Sequence, residues 1–204
     1  AFTLGYYYQE GNGITVKDAA SAYNYYKIGA DLGDRNAMSA LAGCYLNGRG
    51  TAYDIDKGLS IRKVLAEDET DGYQAFFIGA HYCFTADFTY YCINHKFPDK
   101  SLLDPVEGMK WLRKSAQQNN PNAMDYIGDL YKDGNGVPMN KQEAVKWYRK
   151  AADLGHDDAM WNLGRCYEKG EGVEKNIDQA VYWYKKGAAK NKYSCKEALK
   201  RLGY

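Results

Sequence analysis

Trp111, Trp147 and Trp183 stand 36 residues apart each time, and their surroundings repeat with them. Glu143-Ala-Val-Lys-Trp-Tyr-Arg-Lys-Ala-Ala152 returns as Gln179-Ala-Val-Tyr-Trp-Tyr-Lys-Lys-Gly-Ala188. Upstream, Ala123-Met-Asp-Tyr-Ile-Gly-Asp-Leu-Tyr131 returns as Ala159-Met-Trp-Asn-Leu-Gly-Arg-Cys-Tyr167, and Gly134-Asn-Gly-Val137 returns as Gly170-Glu-Gly-Val173. A tandem period of this size limits a chain to stacked copies of one supersecondary unit, because a single unit cannot cover its own apolar face.

Both halves of the unit carry a helical period. Ala123, Ile127 and Tyr131 fall at i, i+4, i+8; Ala144, Trp147 or Tyr148, and Ala151 or Ala152 give a second stripe. The second helices have capping-box starts at Asn140/Glu143, Asn176/Gln179 and Asp104/Glu107, the last with Pro105 at the first helical position. Gly134 and Gly170 are placed to end the first helices at positive φ. The spacing therefore predicts an all-α chain, an α/α superhelical solenoid of five helix–turn–helix repeats with a C-terminal capping helix. The repeats are placed at 1–36, 37–73, 74–122 with an insertion at 84–103, 123–158 and 159–194, with the capping helix at 195–204, all in one domain. Ala1 falls at the second template position, inside a helix already begun, so upstream sequence is expected.

The motif Ala-x-x-x-Leu-Gly-x-x-Tyr-x-x-Gly-x-Gly-Val, followed by Ala-x-x-Trp-Tyr-x-x-Ala-Ala, resembles the Sel1-like repeat, a relative of the tetratricopeptide repeat. The resemblance is sharpest in the fourth and fifth units. The second departs most, with Ile61-Arg62 where Trp-Tyr is expected and Ala42 where Gly is expected. Family members are mostly adaptors that assemble complexes, among them degradation adaptors of the endoplasmic reticulum and secreted bacterial proteins that engage host partners. The resemblance implies a non-enzymatic scaffold that binds another protein or peptide, on the concave face if the tetratricopeptide analogy holds. A permanently buried assembly subunit and a β-lactamase-like hydrolase are the alternatives.

The rest of the sequence bounds the chemistry. Lys plus Arg (27) nearly cancels Asp plus Glu (26), so no nucleic acid is expected. No apolar run is long enough to insert in a membrane. His81, Cys83, Cys92 and His95 could form a zinc site, a Cys83–Cys92 disulfide, or packed free thiols; no metal or cofactor is expected, nor a small-molecule ligand. Ser60-Ile-Arg-Lys63 matches the loose Ser-x-x-Lys pattern, but no Lys-Thr-Gly follows. His156, beside Asp157 and Asp158, reads as a solvated loop residue. The Gly-x-Gly turns precede no strand and are read as helix punctuation.

Two regions invite a partner. One is the aromatic insertion 84–103; the other is the basic stretch from Lys185 to Arg201. First-helix positions three, seven and ten share one face. From that stripe Tyr6, Phe76, Asp125, Asp129, Lys132, Trp161, Arg165 and Glu168 are the candidate partner-binding residues, with Trp161 foremost because the core template asks for no aromatic there.

Overall fold

The computed structural model describes residues 1–11, 16–83 and 104–204. Among them are eleven α-helices and no strand. They divide into two compact units, the first ending at Thr70 and the second beginning at Asp71.

In the first unit α1 (Phe2–Glu10), α2 (Ala19–Asp31), α3 (Arg35–Asn47) and α4 (Ile55–Leu65) pack each on the next. The second unit continues with α5 (Tyr73–Cys83), α6 (Pro105–Gln117), α7 (Pro121–Asp133), α8 (Lys141–Asp153), α9 (Asp157–Lys169), α10 (Ile177–Ala189) and α11 (Tyr193–Leu202), again packed in chain order. The first helices α3, α7 and α9 begin two residues ahead of the Ala that heads each repeat. Asp34, Asn120 and His156 accept backbone N–H bonds at their starts. α11 likewise begins at Tyr193, two residues before Cys195.

The local signals act as their chemistry requires. Asn140 and Asn176 each accept the N–H three residues on, and Asp104 accepts those of Val106 and Glu107. The acidic partners of these boxes serve another purpose: Glu107 accepts from Lys110 and Trp111 at 3.0 Å, and Glu143 from Lys146 at 2.5 Å. Gly134 and Gly170 close α7 and α9 at φ 70° and 74°. The second glycine of each Gly-x-Gly turn answers a different need. A Cβ on Gly136 would run into Pro105 at the start of α6, and one on Gly172 into the Lys141 carbonyl at the start of α8. These turns are where one repeat seats against the preceding second helix.

The core is built on a glycine–tyrosine contact. Gly5 and Gly128 lie under the rings of Tyr26 and Tyr148, where an added Cβ would come within 2.5–2.6 Å, and Gly164 lies under Tyr184 in the same way. All three tyrosines are at most 1% exposed. Arg62 occupies the tyrosine position in the second repeat; there the close approach passes to Gly58 against Leu46. In the third, Leu112 replaces the tyrosine over Gly79. The position after the tryptophan, or after Tyr25 and Ile61 that stand in its place, is thus buried in every copy.

The tryptophans themselves are not equivalent. Trp183 is 3% exposed, as a core reading requires. Trp111 and Trp147 are only partly buried, so of the two α8 candidates for the stripe it is Tyr148 that takes the core. A residue one step from the core tyrosine is rotated about 100° away on the helix, at the border of the packed stripe, where Trp147 stays partly exposed and Trp183 is covered. Lys150 covers the Trp147 ring at 4.2 Å.

Candidate functional site

The eight candidate residues fall in both units, Tyr6 in the first and the other seven in the second. Tyr6 is 49% exposed on α1. Phe76, partly buried, meets Phe77 and Tyr126 edge-on at ring separations of 5.3 and 6.2 Å. The template positions after it, Ala80 and Cys83, are fully buried. Cys83 donates its thiol to the Pro105 carbonyl at 3.7 Å. The insertion 84–103, with Cys92 and His95, lies outside the described residues, as do the zinc and disulfide readings that need them.

On α7 the acidic part of the stripe turns inward. Asp125 is 8% exposed and accepts a hydrogen bond from Asn162 Nδ2 at 3.1 Å. Burial pushes its carboxyl well above the ordinary range; Asp129 adds to that rise, while the Asn162 bond opposes it. Asp129 accepts from the Tyr148 hydroxyl at 2.6 Å and from Lys132 at 2.7 Å. Asp125 and Asp129 tie α7 to α9 and α8, and Lys132 is held by Asp129 within α7 itself, so none of the three is left as a free contact for a partner.

On α9 the arrangement is open. The Arg165 guanidinium lies over the Trp161 ring at 4.6 Å. Trp161 also packs against Ala180, Tyr184, Cys195 and Ala198, so one ring serves both the core and the surface. Glu168 accepts two bonds from Arg201, at 2.6 and 2.9 Å, and one from the Tyr184 hydroxyl at 2.7 Å. The Arg201 contact holds its carboxyl below the usual range. Between α9 and α11 lies a groove of about 540 Å³ whose walls include Trp161, Arg165, Tyr193 and Arg201. Glu168 is taken by Arg201, and Arg165 pairs with no carboxylate among the described residues.

Sequence reasoning missed the α11 wall. Tyr193 is 72% exposed, yet its place in the groove depends on how α11 docks. Arg201 was visible only as one charge in a basic run. That run is used internally in part: Arg201 pairs with Glu168, Lys192 with Asp157 and Asp158, and Lys196 donates to Asn191.

His156 is a correction. It is not a solvated loop residue, with a side chain only 16% exposed. Its Nδ1 accepts the Ala159 N–H at 3.3 Å, which leaves Nε2 to donate to Asn122 Oδ1 at 3.0 Å. Burial lowers its pKa, against the pull of Asp158 and Asp157. The ligand atoms of His156, Asp157 and Asp158 lie within 4.8 Å of one another, but Lys192 lies against both carboxylates and the backbone holds Nδ1. Ser60 donates its hydroxyl to the Lys57 carbonyl at 2.8 Å, as an ordinary helix serine does. No helix of the described residues is long and apolar enough to cross a membrane.

A family model described as Sel1 repeat matches residues 1–34, 35–60, 100–120, 121–156 and 157–192. A Sel1 repeat protein from Oxalobacter formigenes superposes with a TM-score of 0.73 at 28% identity, covering 98% of this chain and 76% of that one. An immunity protein from Pseudomonas aeruginosa shares the fold at 20% identity, with a TM-score of 0.54 over 95% of this chain and 68% of its own. No curated protein matches the sequence.

Proposed function

The chain belongs to the Sel1 repeat family, whose members mediate protein–protein interactions, and from that premise we propose that it is a non-enzymatic adaptor for a protein or peptide. The partner sits against the α9 part of the first-helix stripe and is gripped at Trp161 and Arg165. One observation carries this reading: a guanidinium fixed on an indole face beside an open groove, with no carboxylate of its own. A large ring joined to a planar, five-donor cation is the side-chain pair that dominates interface hot spots. Glu168, tied to Arg201 and Tyr184, holds the groove in shape rather than meeting the partner.

The test compares what the intact chain and its Arg165→Glu variant capture. Arg165 adds no bulk to the core, so the melting temperature should stay within about 2 °C, corresponding to no more than about 1 kcal/mol. Partners captured by the native chain should be lost. Retention of the same partners by a stably folded variant would move the binding surface elsewhere.

A further inference from the structure

A second surface runs along the last turns of α6, α8 and α10. Each carries a pair of cations at the same template positions: Arg113 and Lys114, Arg149 and Lys150, Lys185 and Lys186. Each lysine of the second column rides on the tryptophan three residues before it, with Lys114 at 5.1 Å from Trp111, Lys150 at 4.2 Å from Trp147, and Lys186 at 4.9 Å from Trp183. Cations of the first column rest on tyrosines. Arg113 donates to the Tyr131 hydroxyl at 3.0 Å, Arg149 to that of Tyr167, and Lys185 lies 5.3 Å from the Tyr204 ring.

One turn earlier the pattern is different. Lys110 and Lys146 are neutralised by Glu107 and Glu143. By contrast Arg149, Lys150, Lys185 and Lys186 pair with no carboxylate among the described residues. Helix dipoles account for a cation in a last turn. They do not account for its being laid on an aromatic face.

Contact with a ring leaves an ammonium's N–H donors directed outward while restricting its stem. Such a cation is already ordered when a carboxylate arrives, so less side-chain entropy is lost on pairing. Because the six positions recur with the 36-residue period, they form two parallel columns that step from repeat to repeat in the second unit.

We propose that this ladder is a docking surface for an acidic polypeptide segment, separate from the Trp161–Arg165 groove. Charge complementarity identifies the occupant: Arg149, Lys150, Lys185 and Lys186, which pair with no carboxylate among the described residues and recur in register, call for carboxylates in register. Repeats advance by about one helix diameter, roughly 10 Å, and an extended chain covers that in about three residues. The segment is extended, with Asp or Glu at about every third position. A polypeptide is favoured over nucleic acid because the whole chain carries a net charge of only +1, without the broad basic field that draws phosphate backbones.

The intact chain is titrated at low salt with a fluorescein-labelled peptide of repeated Glu-Ala-Ser triplets, and with its Gln-Ala-Ser counterpart. Saturable binding of the Glu peptide alone is expected. Lys150→Gln with Lys186→Gln should weaken it about fivefold and flatten its salt dependence, with only a small shift of the denaturation midpoint from the lost ring contacts. Arg165→Glu should leave it unchanged, which separates this surface from the groove. The proposal is overturned if the Gln peptide binds as well. It is also overturned if the lysine variant binds normally while Arg165→Glu does not, or if a single-stranded oligonucleotide of equal charge displaces the peptide at lower concentration.

Discussion

Replacing Tyr148 with Ala tests the assignment of the core directly, because the neighbouring Trp147 is the larger residue and the more conspicuous in the sequence. The Tyr148 side chain is 1% exposed and lies against Gly128 of α7. Burying such a ring removes on the order of 150 Å² from water, about 4 kcal/mol at 25 cal/mol per Å². Gly128 has no side chain with which to fill the space left, so the cavity persists, and the expected cost is about 3–5 kcal/mol. The hydroxyl contributes separately. It donates to Asp129 at 2.6 Å, and Tyr148→Phe should cost about 1.5–3 kcal/mol, the usual worth of a hydrogen bond to a charged group. Trp147→Ala should cost clearly less, about 1–2 kcal/mol, from partial burial and a surface cation–π contact of under about 1 kcal/mol. Urea denaturation followed by far-UV circular dichroism gives the three midpoints at constant slope. If Trp147→Ala proves as damaging as Tyr148→Ala, the glycine–tyrosine contact is not what holds α7 to α8.

Protonation and thiol chemistry supply two further tests. Asp125 has a raised folded pKa, so its favourable contribution is complete below the unfolded value near 3.8 and is lost as pH rises through the folded value. His156 runs the other way: its folded pKa is lowered, so its contribution is complete above 6.5 and is lost as pH falls through the folded value. Asp125→Asn should therefore melt higher than the native chain at pH 7, with the difference closing towards acid pH; a lower melting temperature at pH 7 would refute the assignment. Burial pushes Cys44, Cys166 and Cys195 up to about 11 and Cys83 to about 12. These four thiols should resist a maleimide at pH 7.5 and react on unfolding, as mass spectrometry of tryptic peptides would show. Rapid native labelling of any of them would contradict its placement.

The repeat was legible because it is written in short-range terms. A helical stripe, a cap three residues from its N–H, and a glycine at positive φ are each satisfied within one or two turns. Asn140, Asp104 and Gly170 could therefore be assigned without knowing what packs where. The period supplied the count of units, and the family motif a general role in binding proteins. Which of Trp147 and Tyr148 faces inward could not be read, because both lie near the same apolar stripe. Only the close approach of Gly128 decides which ring has room beneath it. Asp125 and Arg165 show the same division. Both sit on the chosen stripe, and the periodicity ranks them alike. Packing sends Asp125 under Asn162 and leaves Arg165 on the Trp161 face, since burial of a charge depends on the neighbouring repeat. The groove was likewise beyond reach, because its second wall is α11, and no local rule fixes where Tyr193 and Arg201 will lie. The sequence by itself determined the unit and its repetition, whose causes are local; the tertiary structure alone decided which side chains the stacking spends on the core and which it leaves for a partner.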